Sequence, residues 1–210
     1  PELSDRLFFY SSEHLADRLD YTSLADYGTD SYKRLFYCPE NTLPGTKAQI
    51  NAISTAVVFK GYFKVEGVTA ESLYYYNRAI YTSPDKLKEA LADSGIDLTD
   101  SSDENLAALG VVRYIKNKED DSYPVWYTYW NRHNDNNNPN VMGIMEFAVV
   151  RNNIYRLVVN SISSLGLPRP PYETANPWKP DGKTPDEVPS LIDVTVEVNE
   201  WKERILDYEI

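Results

Sequence analysis

The chain is expected to be mainly β, an antiparallel sandwich with short helical insertions, and three observations predict it. Residues suited to pleated, half-buried surfaces are abundant, with 17 Tyr and an aromatic share of 13% in 210 residues. Thirteen Pro and many Asn and Asp place turn chemistry between short apolar runs. No alternation of strands with long helical segments runs along the chain, as parallel βαβ units would require, and no internal repeat is visible. A hydrophobic share of 42% suffices for a packed core.

Residues 6–26 show helical spacing in places, at Phe8, Leu15 and Leu19. Leu35, Phe36, Tyr37 and Cys38 form a short apolar run that Pro39 stops. Residues 54–65 read as a strand: Thr55, Val57, Phe59 and Phe63 face one way, Ser54, Lys60, Tyr62 and Lys64 the other. Gly61 within it marks a bulge or a close backbone approach. Ser83, Pro84 and Asp85 open a helix as N-cap, first residue and dipole partner; Leu87, Ala90 and Leu91 give its apolar stripe and Gly95 ends it. A second short helix is expected over residues 103–109, closed by Gly110, then a strand over 111–115 and a charged loop over 116–122.

Residues 125–130 read as an aromatic strand and 132–140 as a polar loop. Strands over 141–150 and 154–162 are expected to flank a tight hairpin turn at Asn152-Asn153, because Asn tolerates positive φ. Residues 167–182, rich in Pro, form an extended connector without ladder bonds. Ile192, Val194, Val196 and Val198 then alternate with polar residues as one greasy strand face. Trp201 falls out of phase, Leu206, Tyr208 and Ile210 resume the even positions, and a bulge near Asn199-Glu200 would restore the register.

A formal charge of -11 repels polyanions, so no nucleic acid is expected as a partner. Cys38 is the one cysteine and only His14 and His133 exist, too few for a Cys/His zinc site. No nucleophile elbow and no Gly-rich phosphate loop are found, and neither catalytic residue, metal nor cofactor is expected. Cys38 within its apolar run reads as a small buried thiol rather than a nucleophile. His133 with Asp135 could ligate a metal, but solvated loop residues are the simpler account. Asp97, Asp100, Asp103 and Glu104 lack calcium-loop spacing, and Asp103 and Glu104 suit a helix start. Tyr74, Tyr75 and Tyr76, or Trp126, Tyr127, Tyr129 and Trp130, could stack a sugar. Alternation instead puts Trp126 and Trp130 on one face and Tyr127 and Tyr129 on the other, as core and surface of one strand.

Three stretches resemble the fimbrillins, the major fimbrial subunits of Bacteroides and Porphyromonas. The first joins Tyr37-Cys38-Pro39-Glu40-Asn41-Thr42 to the run T-A-V-V-F-K-G-Y-F at 55–63. The longest is Y-W-N-R-H-N-D-N-N-N-P-N-V-M-G-I-M-E-F-A-V-V-R-N-N-I-Y-R-L at 129–157. The third is the ending V-T-V-E-V-N-E-W-K-E-R-I-L-D-Y-E-I, in which Glu200 stands where the family usually has Pro.

The resemblance implies transthyretin-like β-sandwiches exported as lipoproteins to the outer membrane and polymerised by donor-strand exchange into a fimbrium that serves cell adhesion. A trypsin-like protease removes an N-terminal strand before assembly. Residues 35–190 would be the C-terminal fimbrillin domain, 1–34 a linker or a remnant of the preceding domain, and 191–210 a terminal strand. The chain opens on Pro1-Glu2 rather than Met, as expected of a processed or truncated product. The implied partners are other fimbrial subunits, copies of itself and accessory or anchor subunits, together with host glycans or proteins; the alternative reading is a carbohydrate-binding adhesin module. The candidate donor residues are Ile192, Val194, Val196, Val198, Trp201, Leu206, Tyr208 and Ile210. Burying the first four is worth about 1.5–3 kcal/mol each before ordering costs. The segment could equally be the last strand of its own domain. A division is expected, with Ile192 to Val198 completing their own sheet and the tail beyond Trp201 reaching a neighbour.

Overall fold

The computed structural model describes residues 38–43, 45–51, 53–171, 173, 175–178, 184–187 and 191–200. The helical spacing expected over 6–26, the run at 35–37, and Trp201, Leu206, Tyr208 and Ile210 lie outside them. Among the described residues the fold is mainly β, with antiparallel pairing throughout and two short helices.

The expected strand at 54–65 is β1 (Ala56–Phe63), paired along its whole length with β5 (Tyr123–Trp130), from Ala56 opposite Trp130 to Phe63 opposite Tyr123. Gly61 makes no bulge, and a methyl group there would meet Val125 at an ordinary 3.5 Å. β2 (Ser72–Tyr76) and β3 (Ala79–Tyr81) form a hairpin that pattern reading missed. Its two-residue turn needs positive φ at both positions, and Asn77 (47°) and Arg78 (63°) supply it without the usual glycine. β4 (Val112–Ile115) pairs with the other edge of β2, giving the order β3-β2-β4.

These two sheets share one core. Phe59 and Phe63 of β1 and Tyr123, Val125 and Tyr127 of β5 meet Leu73 of β2 and Tyr114 of β4, as the inner faces of a sandwich do. The Phe63 ring meets Tyr114 edge-on at 5.1 Å and lies 5.3 Å from Tyr123. Tyr serves here because its ring fills the core while its hydroxyl reaches backbone: Tyr114 donates to the Gly166 carbonyl at 2.6 Å and Tyr123 to that of Ala70.

The opposite face of β2 carries Tyr74, against which α1 (Pro84–Asp93) and α2 (Asp103–Ala108) pack through Leu87, Leu91 and Leu106. Both helices start and stop as expected. Ser83 and Ser102 accept from the backbone N–H three residues on, and Gly95 and Gly110 take positive φ. Ile96 then donates to Leu91, and Val111 to Leu106, closing two equivalent Schellman turns on buried leucines.

β6 (Asn153–Ile162) and β7 (Ile192–Glu200) form a long two-stranded ribbon. The strand expected over 141–150 is not there. That stretch is a series of turns with a single bridge, Val149 to Asn41, so the predicted hairpin lacks its first arm although Asn152 does take φ 60°. A buried Gln49 stands in for a strand partner: its amide accepts from the Phe147 N–H at 2.7 Å and donates to the Gly143 carbonyl at 2.7 Å. The connector makes one ladder contact that was not expected, between Leu167 and Trp126.

Candidate functional site

β7 carries four of the candidate donor residues, and the structure pairs all four within the chain. Ile192, Val194, Val196 and Val198 lie opposite Ile162, Val159, Leu157 and Tyr155. Asn199 and Glu200 pair regularly, so the bulge expected near them is not at these two residues; a separate register break lies on β6 at Asn160, whose amide donates to Thr195 Oγ1 at 2.8 Å.

Burial fades along the strand. Ile192 is 4% exposed and packs with Val194 into the shared core, whereas Val198 is 37% exposed. Along β6, Val158 (36%), Val159 (43%) and Ile162 (57%) are exposed too. Among the described residues no third strand joins this sheet. A long strand with exposed aliphatic side chains at the edge of a sheet is what soluble proteins avoid unless something pairs with it.

The start of β7 is approached through an electrostatic node. Arg132, two residues past β5, places Nη1 2.6 Å from Glu146 Oε1 and Nη2 2.6 Å from Asp186 Oδ1. Its plane covers the Phe147 ring at 4.4 Å, and Asp135 lies 3.4 Å away. The Glu146 side chain is 1% exposed and that of Asp186 4%. The second oxygen of Glu146 accepts from the Gly143 N–H at 2.7 Å. Burial pushes the Glu146 carboxyl above its ordinary range, and Asp186 and Asp135 add to it against the pull of Gly143 and Arg132. For Arg132, burial favours the neutral form, but Asp186, Asp135 and Glu146 outweigh it and the guanidinium stays charged. A cleft of about 410 Å3 beside the node is lined by Tyr129, Phe147, Pro185, Ile192 and Val194. Sequence reading passed over this node. Its one signal was Glu146 alone within the apolar run I-M-E-F-A-V-V.

The remaining candidates resolve in other ways. Cys38 is exposed, not buried, although enough protein surrounds the thiol to push its pKa up. His133 Nδ1 meets the Tyr155 hydroxyl at 2.9 Å. The Asn-rich loop satisfies itself, with the N–H groups of Asn137, Asn138 and Asn140 bonded to the side chains of Asp135, Asn136 and Asn138. Asp103 is more than a helix start: it is buried and takes Arg113 and Arg169 at 2.6 Å each, tying α2 to β4 and to the connector. Tyr127 lies in the core, while Trp126 and Trp130 are half-buried on the outer face, where Lys60 stands over Trp126 and the 54%-exposed Tyr62. Among the described residues no cluster of potential metal ligands occurs, and no helix is long and apolar enough to cross a membrane.

The class these features define is an antiparallel β structural domain ending in a partly exposed ribbon. Residues 122–207 match the family model of the major fimbrial subunit protein type IV, fimbrillin, C-terminal, and the match supports a fimbrillin C-terminal domain in this part of the chain. The family is one of structural subunits that build a cell-surface fimbrium together with other fimbrial subunits. No curated protein matches the chain.

Proposed function

We propose that the chain is a fimbrial structural subunit joined to the next copy by β-strand exchange through its C-terminal segment, after export as a lipoprotein to the outer membrane. In this reading residues 35–190 form a transthyretin-like sandwich, residues 1–34 link it to what precedes, and 191–210 are the terminal strand. The observation that carries it is the β6–β7 ribbon, whose exposed Val158, Val159, Ile162 and Val198 stand on a sheet of two strands among the described residues. Ile192, Val194, Val196 and Val198 root the segment in its own domain, and Trp201, Leu206, Tyr208 and Ile210 reach the neighbour. An extended segment entering an incomplete sandwich gains backbone bonds along the edge and pockets for alternate side chains. The function needs no catalytic step. Deleting residues 206–210 should leave a folded monomer that forms neither ladders on a gel nor fibres in electron micrographs of the protease-treated protein; polymerisation at the full-length level would overturn the exchange.

A second reading, adhesion to host glycans, is favoured by the outer face of β1 and β5, where Tyr62, Lys60 and Trp126 lie together. A glycan array should register binding that Trp130→Ala abolishes, and an array without signal removes this role while leaving assembly untouched.

A further inference from the structure

We propose that Arg132 and Asp186 form a latch that keeps the start of β7 docked on its own domain, making Arg132 a positioning residue for the terminal strand.

Three segments distant in sequence meet at one guanidinium: the end of β5 through Arg132, the turns before β6 through Glu146, and the 3-10 turn Pro185–Glu187 through Asp186. Asp186 precedes Ile192 by six positions, so the pair fixes the chain just before the strand begins. The fork of Arg132 is divided between the two carboxylates, and its head group stacks on the Phe147 ring at 4.4 Å. β7 has other anchors at the same end. Ile192 is buried, and Ser163 donates its N–H to the Leu191 carbonyl at 3.0 Å. Further along, β7 pairs with Arg156, Tyr155, Ile154 and Asn153 of β6, and its own side chains turn outward, Val198 being 37% exposed. The burial of β7 itself is thus greatest at the end the latch holds. Without Arg132, two nearly buried carboxylates face each other uncompensated, and without Asp186 the lead-in loses its tie to the guanidinium; either way it can lift away.

The consequence for assembly rests on the exchange reading above: a firmly rooted β7 presents the tail in one direction, and a loose one does not. Hydrogen exchange on the full chain tests the latch directly. Asp186→Ala, and the milder Asp186→Asn should the first fail to fold, is expected to speed exchange of the β7 amides at least tenfold while leaving those of β2 and β4 unchanged. Acceleration of equal size in all three strands would mean a general loss of stability, and no acceleration would mean no contribution; either overturns the latch. Assembly of the variant is read beside that of the chain lacking 206–210. If exchange in β7 rises as expected while the truncated chain still polymerises, the latch stands and strand exchange falls.

Discussion

At the scale of single residues, the most informative are polar groups placed where a packed interior would ordinarily refuse them. Glu146 is an acid inside an apolar run, held by one arginine that it shares with Asp186. Because burial raises its pKa in the folded chain, its stabilising contribution is complete below the pKa of the unfolded chain and is lost as pH rises through the folded value. The groups facing it are Arg132, Asp135 and Asp186. The wild-type chain should therefore lose unfolding free energy as pH rises above the ordinary glutamate range. Glu146→Gln, which fixes the side chain in a neutral form, should show a flatter dependence in that window. Urea titrations at a series of pH values check this, and parallel profiles for the two proteins would refute it. Gln49 solves a related problem without charge, its amide taking both a donor and an acceptor that a strand would otherwise have served. Neither role could be read from the sequence, because each depends on partners some 14 to 98 positions away.

At the scale of elements, the helices were legible and the strand at 141–150 was not, for one reason. A helix is closed by local chemistry, and Ser83 with Gly95, or Ser102 with Gly110, carry their signals within a few residues. A strand exists only if another strand meets it, and the apolar run before β6 meets Gln49 and Arg132 instead. The connector illustrates the converse. Its Pro content argued against ladder bonds, yet Leu167 exchanges two backbone bonds with Trp126, and Gly166 is what permits the approach. A methyl group on Gly166 would stand 2.4 Å from the Trp126 carbonyl oxygen, a contact that backbone cannot relieve. Gly166→Ala is accordingly expected to cost about 3 kcal/mol, at the upper end of overpacking effects. A shift in denaturant midpoint shows it, and a change below about 0.5 kcal/mol, the size of an ordinary surface substitution, would mean the bridge matters little.

At the scale of the whole molecule, two kinds of interior coexist. The sandwich core and the helix-covered face are closed, with Leu73, Leu87, Leu91, Leu106 and Val111 fully buried. The β6–β7 ribbon is partly open: Ile192 enters the core, but Val158, Val159, Ile162 and Val198 stay in water. Its charges, Arg156 and Glu197 among them, leave these aliphatic side chains uncovered. A subunit that must join others retains apolar surface until assembly covers it, and the fimbrillin match over residues 122–207 includes this ribbon. The deletion of residues 206–210 belongs here: the sandwich should unfold at an unchanged denaturant midpoint, because the tail is proposed to act between molecules, while the sedimenting mass falls to that of one chain.

The amino-acid order by itself determined that this would be a β-rich chain, where its helices start and stop, and that its last described strand would have one apolar face. Those properties are encoded by period, caps and turn residues over a few positions. Only the tertiary structure decided which face of the aromatic strand β5 turns inward, that the Tyr rather than the Trp residues enter the core, and that Ile192 to Val198 pair with β6. Alternation fixes that two faces differ but leaves open which partner each will meet, since that choice is made by contacts between residues far apart in the chain.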